Sequence, residues 1–211
     1  MPRITKPREE RRLEIIMTAQ QLFAKLGYAN CSVDRIIREM GVAKGTFYYY
    51  FKSKEEILSA IAGHTLAQVE AMVEQVANDP SLDALGKMKL LLSDSHIGDE
   101  KSLETAEMLH LPENRELHEL TNIQSVLRLS PHFAKIVEQG NRESVFCAER
   151  PIETIQFLFT GTQFLLDGGL FHFTEEEVSS RRRVAQSIIE KALGAAPGSF
   201  GFMNPEPTKG E

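Results

Sequence analysis

Two cysteines in 211 residues, Cys31 and Cys147, stand too far apart to make a metal-ligand spacing. A disulfide between them is out of keeping with a cytosolic protein. No stretch reaches the roughly 18 apolar residues that span a bilayer, and the N-terminus has no apolar signal core. The expected location is therefore the cytoplasm, with no membrane partner. There is no glycine-rich phosphate loop, no His-Glu-x-x-His and no Cys-x-x-Cys. The six histidines are scattered, and His110 and His118 are eight apart, off the spacing of a helical metal pair. Carboxylates are plentiful but show no sign of pairing for acid–base work. No alternating β pattern appears. These absences leave no case for an enzyme, a metal or a cofactor, and point to an all-α chain.

Charge is present and unevenly placed. The net charge is −6, which argues against a nucleic-acid partner. Residues 1–54 carry 11 Lys+Arg against 5 Asp+Glu, a net of +6, whereas residues 55–211 carry 13 against 25, a net of −12. A basic end on an acidic body is the asymmetry of a DNA-binding head on a regulatory body.

The stretch Ser32 to Lys54 explains the basic end. Ser32 suits an N-cap, and Asp34 places a negative charge in the first turn. Val33, Ile36, Ile37 and Met40 recur at helical spacing, and Gly41 can take the left-handed conformation that ends a helix. Val42 plugs the space before a second short helix, Ala43 to Tyr50, with Phe47 inward and Lys44, Thr46, Tyr48 and Tyr49 outward. Lysine neutralises phosphate, and threonine and tyrosine hydroxyls donate to phosphate oxygens. Thr46 can also meet a thymine methyl and Lys44 a guanine edge. Gly45 lets backbone approach DNA closely, which accounts for a glycine that otherwise costs a helix about 1 kcal/mol. Taken alone, the tyrosines read equally well as a half-buried core edge.

These residues carry a resemblance. Leu22 to Tyr28, Ser32 to Ile37 and Gly41 to Glu55 look like a TetR-family transcriptional regulator over roughly the first 58 residues. Tyr50 stands where the family often has histidine, and its hydroxyl can still bond a phosphate. The resemblance implies a three-helix helix-turn-helix head on a larger helical ligand-binding and dimerisation body. The implied DNA contacts are Ser32, Lys44, Gly45, Thr46, Tyr48, Tyr49, Tyr50 and Lys54. Arg3, Lys6 and Arg8 form a basic arm that can enter the minor groove or serve as a solubilising tail.

The expected domains are 1–53, 54–194 and a disordered tail, 195–211, with a short docking segment at Phe200 and Phe202 as the alternative. Residues 9–26 should form a bracing helix with Leu13, Ile16, Phe23 and Leu26 on one face. Lys54 to Asn78 should form a long helix, with Lys54 placed to hold a phosphate at its start. Further helices are expected at 82–95, 101–110, 113–129 and 132–147, with breaks near His96–Asp99, Leu111–Pro112, Ser130–Pro131 and Gly140. Residues 151–171 form the most hydrophobic stretch, weakened at Gly168-Gly169, and Thr174 caps a last helix.

The last two helices resemble the family's four-helix dimer interface, with Phe157, Leu165, Val184 and Ile188 as contacts; an intrachain core is the competing reading. His64, Met72, Met88, Met108, Phe159, Gln163 and Phe164 are candidates for an apolar effector pocket, against plain core packing for each. The expected function is a homodimeric, ligand-responsive repressor on a pseudo-palindromic, double-stranded operator. A binder that has lost specific DNA recognition is the alternative, separable by the salt dependence of DNA affinity.

Overall fold

A computed structural model describes residues 7–93, 105, 107–166, 171 and 173–204. Every described element is helical. In chain order these are α1 (Arg8–Leu26), α2 (Val33–Met40), α3 (Lys44–Tyr50), α4 (Lys54–Asn78) and α5 (Ala84–Leu92). A 3-10 turn at Pro112–Asn114 leads into α6 (Arg115–Arg142), followed by α7 (Pro151–Leu166), α8 (Glu175–Leu193) and a final 3-10 turn at Gly201–Met203. The chain divides into two compact units.

The first unit takes in residues 1–66 and 100–118. Its core joins Ile15, Ile16 and Phe23 of α1, Ile36 of α2, Phe47 of α3, Phe51, and Ile57, Leu58 and Ile61 of α4. Burying each such side chain contributes about 1.5–3 kcal/mol. The inward stripe of α1 also uses Ala19 and Leu22. Leu13, expected on that stripe, is exposed, because the face turns through Ile15 and Ile16. Met108 closes the core from the second stretch of chain. Asn114 holds that stretch in shape by donating to the Met108 carbonyl at 2.7 Å.

The second unit takes in residues 67–99 and 119–211. Val73 and Ala77 of α4, Met88 and Leu91 of α5, Phe133, Ile136 and Val137 of α6, Ile155 and Leu158 of α7, and Ile189 and Leu193 of α8 share one core. Lys87 is buried in it. Its ammonium donates to the Ala77 carbonyl at 2.9 Å and to Gln139 Oε1 at 2.7 Å, which offsets the cost of burying the charge.

Three expectations change here. Ser130–Pro131 is no break, since Pro131 lies inside α6. An interior proline costs about 3 kcal/mol, but the turns after it bury Phe133, Ile136 and Val137, which outweighs that cost. Gly140 is likewise inside α6. It is small because the Phe146 ring lies against it: a Cβ at position 140 would come within 2.0 Å of Phe146 Cδ2. The chain turns instead at Ser144, with φ 61°.

The tail is the third correction. Residues 195–204 fold back onto the second unit, and Phe200 is 0% exposed. Its ring lies 6.0 Å from that of Phe146 and 5.4 Å from that of Phe202. The Phe200 N–H donates to Glu190 Oε1 at 3.0 Å. The remainder of the expected tail, 205–211, lies outside the described residues, as do Arg3, Lys6, the break at His96–Asp99 and Gly168-Gly169.

Candidate nucleic-acid interface

The helix-turn-helix is built by local chemistry. Ser32 caps α2, its hydroxyl accepting from the Arg35 N–H at 3.2 Å. Gly41 ends α2 at φ 62°, ψ 28°, a left-handed conformation that glycine takes without a Cβ penalty. Val42 is half-buried against the core, and α3 follows at Lys44.

Phe47 fixes the orientation of α3. It is fully buried and lies 6.5 Å from the ring of Phe51, also buried. Phe47 is buried, whereas Lys44, Tyr48 and Tyr49 are exposed, and Tyr49 is 65% exposed. Thr46 and Tyr50 are half-buried, and Ser32 and Gly45 are exposed. A Cβ on Gly45 would meet nothing within 4 Å, so among the described residues no neighbour requires that glycine.

The outward residues have intramolecular partners that the sequence did not announce. Lys44 Nζ lies 3.0 Å from Asp34 Oδ1 and 6.0 Å from the centre of the Tyr48 ring. The hydrogen bond that Lys44 donates to the Asp34 carboxylate, then the charge of that carboxylate, raise the Lys44 pKa. The Arg8 guanidinium sits 5.3 Å above the Tyr49 ring and that of Arg12 sits 5.1 Å above Phe51. Arg8 is thus the first residue of α1, where the sequence placed it on a free arm.

Lys54 departs most from expectation. Its ammonium donates to the Tyr28 carbonyl at 2.8 Å and lies 4.0 Å from the centre of the Tyr28 ring. Burial, then the charges of Glu55 and Glu113, push the Tyr28 hydroxyl up to about 12. Cys31, beside Ser32, is buried, which raises its thiol pKa. The start of α4 is satisfied from within, since Glu56 Oε2 accepts from the Lys52 N–H at 2.7 Å and Ser53 Oγ from the Glu56 N–H at 3.2 Å.

On the second unit, the expected interface residues lie together on one exposed face. Phe157, Leu165, Val184 and Ile188 line a groove along α7 and α8 together with Gly161 and Ala185. Phe157 is 79% exposed. Thr174 caps α8 with a reciprocal pair: its hydroxyl accepts from the Glu177 N–H, and Glu177 accepts from the Thr174 N–H.

The seven effector candidates are divided between the two units. His64 and Met108 belong to the first unit and the others to the second. Met108 and Met88 are core residues of their respective units. Phe164 is exposed and packs edge-on against Phe171, 5.5 Å between ring centres. Met72, Phe159 and Gln163 are half-buried, with the Phe159 ring 4.9 Å from that of Phe133. His110 and His118, unrelated by sequence spacing, bring their rings to 4.7 Å. Among the described residues, no three metal-ligating side chains converge, and no helix is long and apolar enough to cross a membrane.

Residues 15–61 match the family of bacterial regulatory proteins named for tetR, and residues 99–188 match a tetracyclin repressor-like C-terminal domain. The fatty acid metabolism regulator protein of Bacillus subtilis is 34% identical over 87 residues, covering 41% of this chain and 43% of its own length. The transcriptional regulator EthR of Mycobacterium tuberculosis is 32% identical over 73 residues, covering 35% of this chain and 34% of its own length. The chain thus spans less than half the length of these curated relatives. A TetR-family regulator from Mesorhizobium loti shares the fold, with a TM-score of 0.64 at 20% identity over 90% of this chain and 98% of that one. So does RolR in complex with resorcinol, with a TM-score of 0.63 at 18% identity over 95% of each chain.

Proposed function

The chain belongs to the TetR family of bacterial regulatory proteins, and we propose that it is a sequence-specific DNA-binding transcriptional regulator that acts as a ligand-responsive repressor. In this reading residues 1–53 form the DNA-binding head and residues 54–194 the effector-binding and dimerisation body, working in the cytoplasm. The observation that carries the reading is the setting of α3. A fully buried Phe47 anchors it, while Lys44, Tyr48 and Tyr49 face outward beside the exposed Gly45.

A homodimer is supported by the exposed apolar groove of α7 and α8, since Phe157, Leu165, Val184 and Ile188 would leave water together against a second copy. Two recognition helices would then enter major grooves of a pseudo-palindromic operator at half-sites about 34–36 Å apart or somewhat more. A small, mostly apolar effector in the body, with Met72, Phe159 and Gln163 as lining candidates, would favour a head spacing that no longer matches DNA. Affinity falls through geometry alone. RolR, which shares the fold, holds resorcinol, and that supports a small-molecule effector.

The test is a gel shift on an operator-bearing duplex with Lys44→Ala and Tyr49→Ala. Each should weaken binding by about tenfold, of the order expected for losing one good contact. Wild-type binding by both variants would reject this surface.

A further inference from the structure

Lys44 is the first residue of α3, and the N-terminal residues of a recognition helix are those that contact base edges. In the folded chain its ammonium is engaged by the Asp34 carboxylate of α2 at 3.0 Å. The two side chains are about equally open, at 65% and 66%, and the ammonium lies 6.0 Å from the centre of the exposed Tyr48 ring. A negative charge on a surface meant for DNA costs affinity, and its favourable place in the first turn of α2 contributes only modestly to stability at an exposed site. Ser32 already caps that helix, and Arg38 takes the backbone carbonyl of Asp34 and leaves its carboxylate alone.

We propose that Asp34 is a specificity-determining residue whose carboxylate stands in for a DNA phosphate on Lys44. Building on the DNA-binding reading above, it adds a competitor within the protein. Random DNA offers Lys44 a phosphate, which must displace the carboxylate and then sit beside it. The exchange swaps one anion for another and gains little. A cognate site offers the paired acceptors O6 and N7 of a guanine, a contact the carboxylate does not mimic. Asp34 therefore weakens binding to random sequence more than binding to the operator. An exposed pair suits this role, because surface ion pairs are weak and exchange readily.

The experiment compares wild type, Asp34→Asn, Lys44→Ala and the double variant. Fluorescence anisotropy is read on an operator duplex and a random duplex across a salt series. Asp34→Asn should tighten binding to the random duplex about fivefold, the size of one charge contact in water, and to the operator less than twofold. The salt slope on random DNA should steepen by about one. In the Lys44→Ala background the same substitution should change binding less than twofold. Unchanged affinities for Asp34→Asn overturn the proposal. So does an equal gain with and without Lys44, which makes Asp34 a general repulsive charge. Thermal melting checks the fold of each variant, and Asp34→Ser repeats the comparison if the asparagine lowers it. Wild-type protein that shows no preference for the operator rejects the DNA-binding reading itself, a separate result.

Discussion

Lys54 donates to the carbonyl of Tyr28 and lies against its ring, joining the first turn of α4 to the loop between α1 and α2. A charged hydrogen bond of this kind contributes about 1.5–3 kcal/mol, less where water screens it. Lys54→Met should therefore lower the melting temperature of the protein and its DNA affinity together. A lysine that served only to touch phosphate would lower affinity at an unchanged melting temperature.

Gly45 and Gly140 separate a functional glycine from a structural one. Around Gly45 there is open space, so Gly45→Ala should stabilise α3 by about 0.5–1 kcal/mol and still weaken DNA binding, because the new methyl faces the duplex. At Gly140 the same substitution drives a Cβ into the Phe146 ring. The net effect should be a loss of about 1–3 kcal/mol. Urea denaturation of both variants, with a gel shift for the first, checks the pair of signs.

Phe200 is the anchor of the C-terminal segment. Phe200→Ala should cost about 3–5 kcal/mol, as large-to-small changes in a filled core do. Truncation after Gly194 should cost at least as much. A truncated chain as stable as the full one would show that the segment does not pack in solution.

Glu190 ties that segment to α8. Burial by itself raises its pKa, but hydrogen bonds from Gln186 and from the N–H groups of Phe200 and Gly198 together hold it below the ordinary value of 4.5. A depressed carboxyl contributes stability that is complete above its unfolded value and is lost as pH falls through the folded one. Stability should thus decline on acidification through and below pH 4.5, and Glu190→Gln should flatten that decline. Equal acid sensitivity in wild type and variant would remove Glu190 as the cause.

The head was legible in the sequence because its signals are local. Ser32 and Gly41 mark their helix ends by backbone chemistry, and the spacing of Ile36 and Phe47 gives the inward faces. What escaped is tertiary. The proline at 131 reads as a stop, and only the core it leads into overrides it. Phe200 sits in a glycine- and proline-rich stretch, and only its burial beside Phe146 shows that it packs. The partners of Lys44 and Lys54, Asp34 and Tyr28, lie 10 and 26 positions away, beyond any helical spacing rule. Met88 and Met108 looked like pocket residues because methionine fills cores and ligand sites alike; burial places them in cores.

The most direct test of the account is selection of bound sequences from a random duplex pool by the purified protein at low salt. The expected result is enrichment of one inverted repeat whose half-sites lie about one helical turn apart or somewhat more, lost on Tyr49→Ala. A pool that stays random after repeated rounds would contradict sequence-specific recognition by α3.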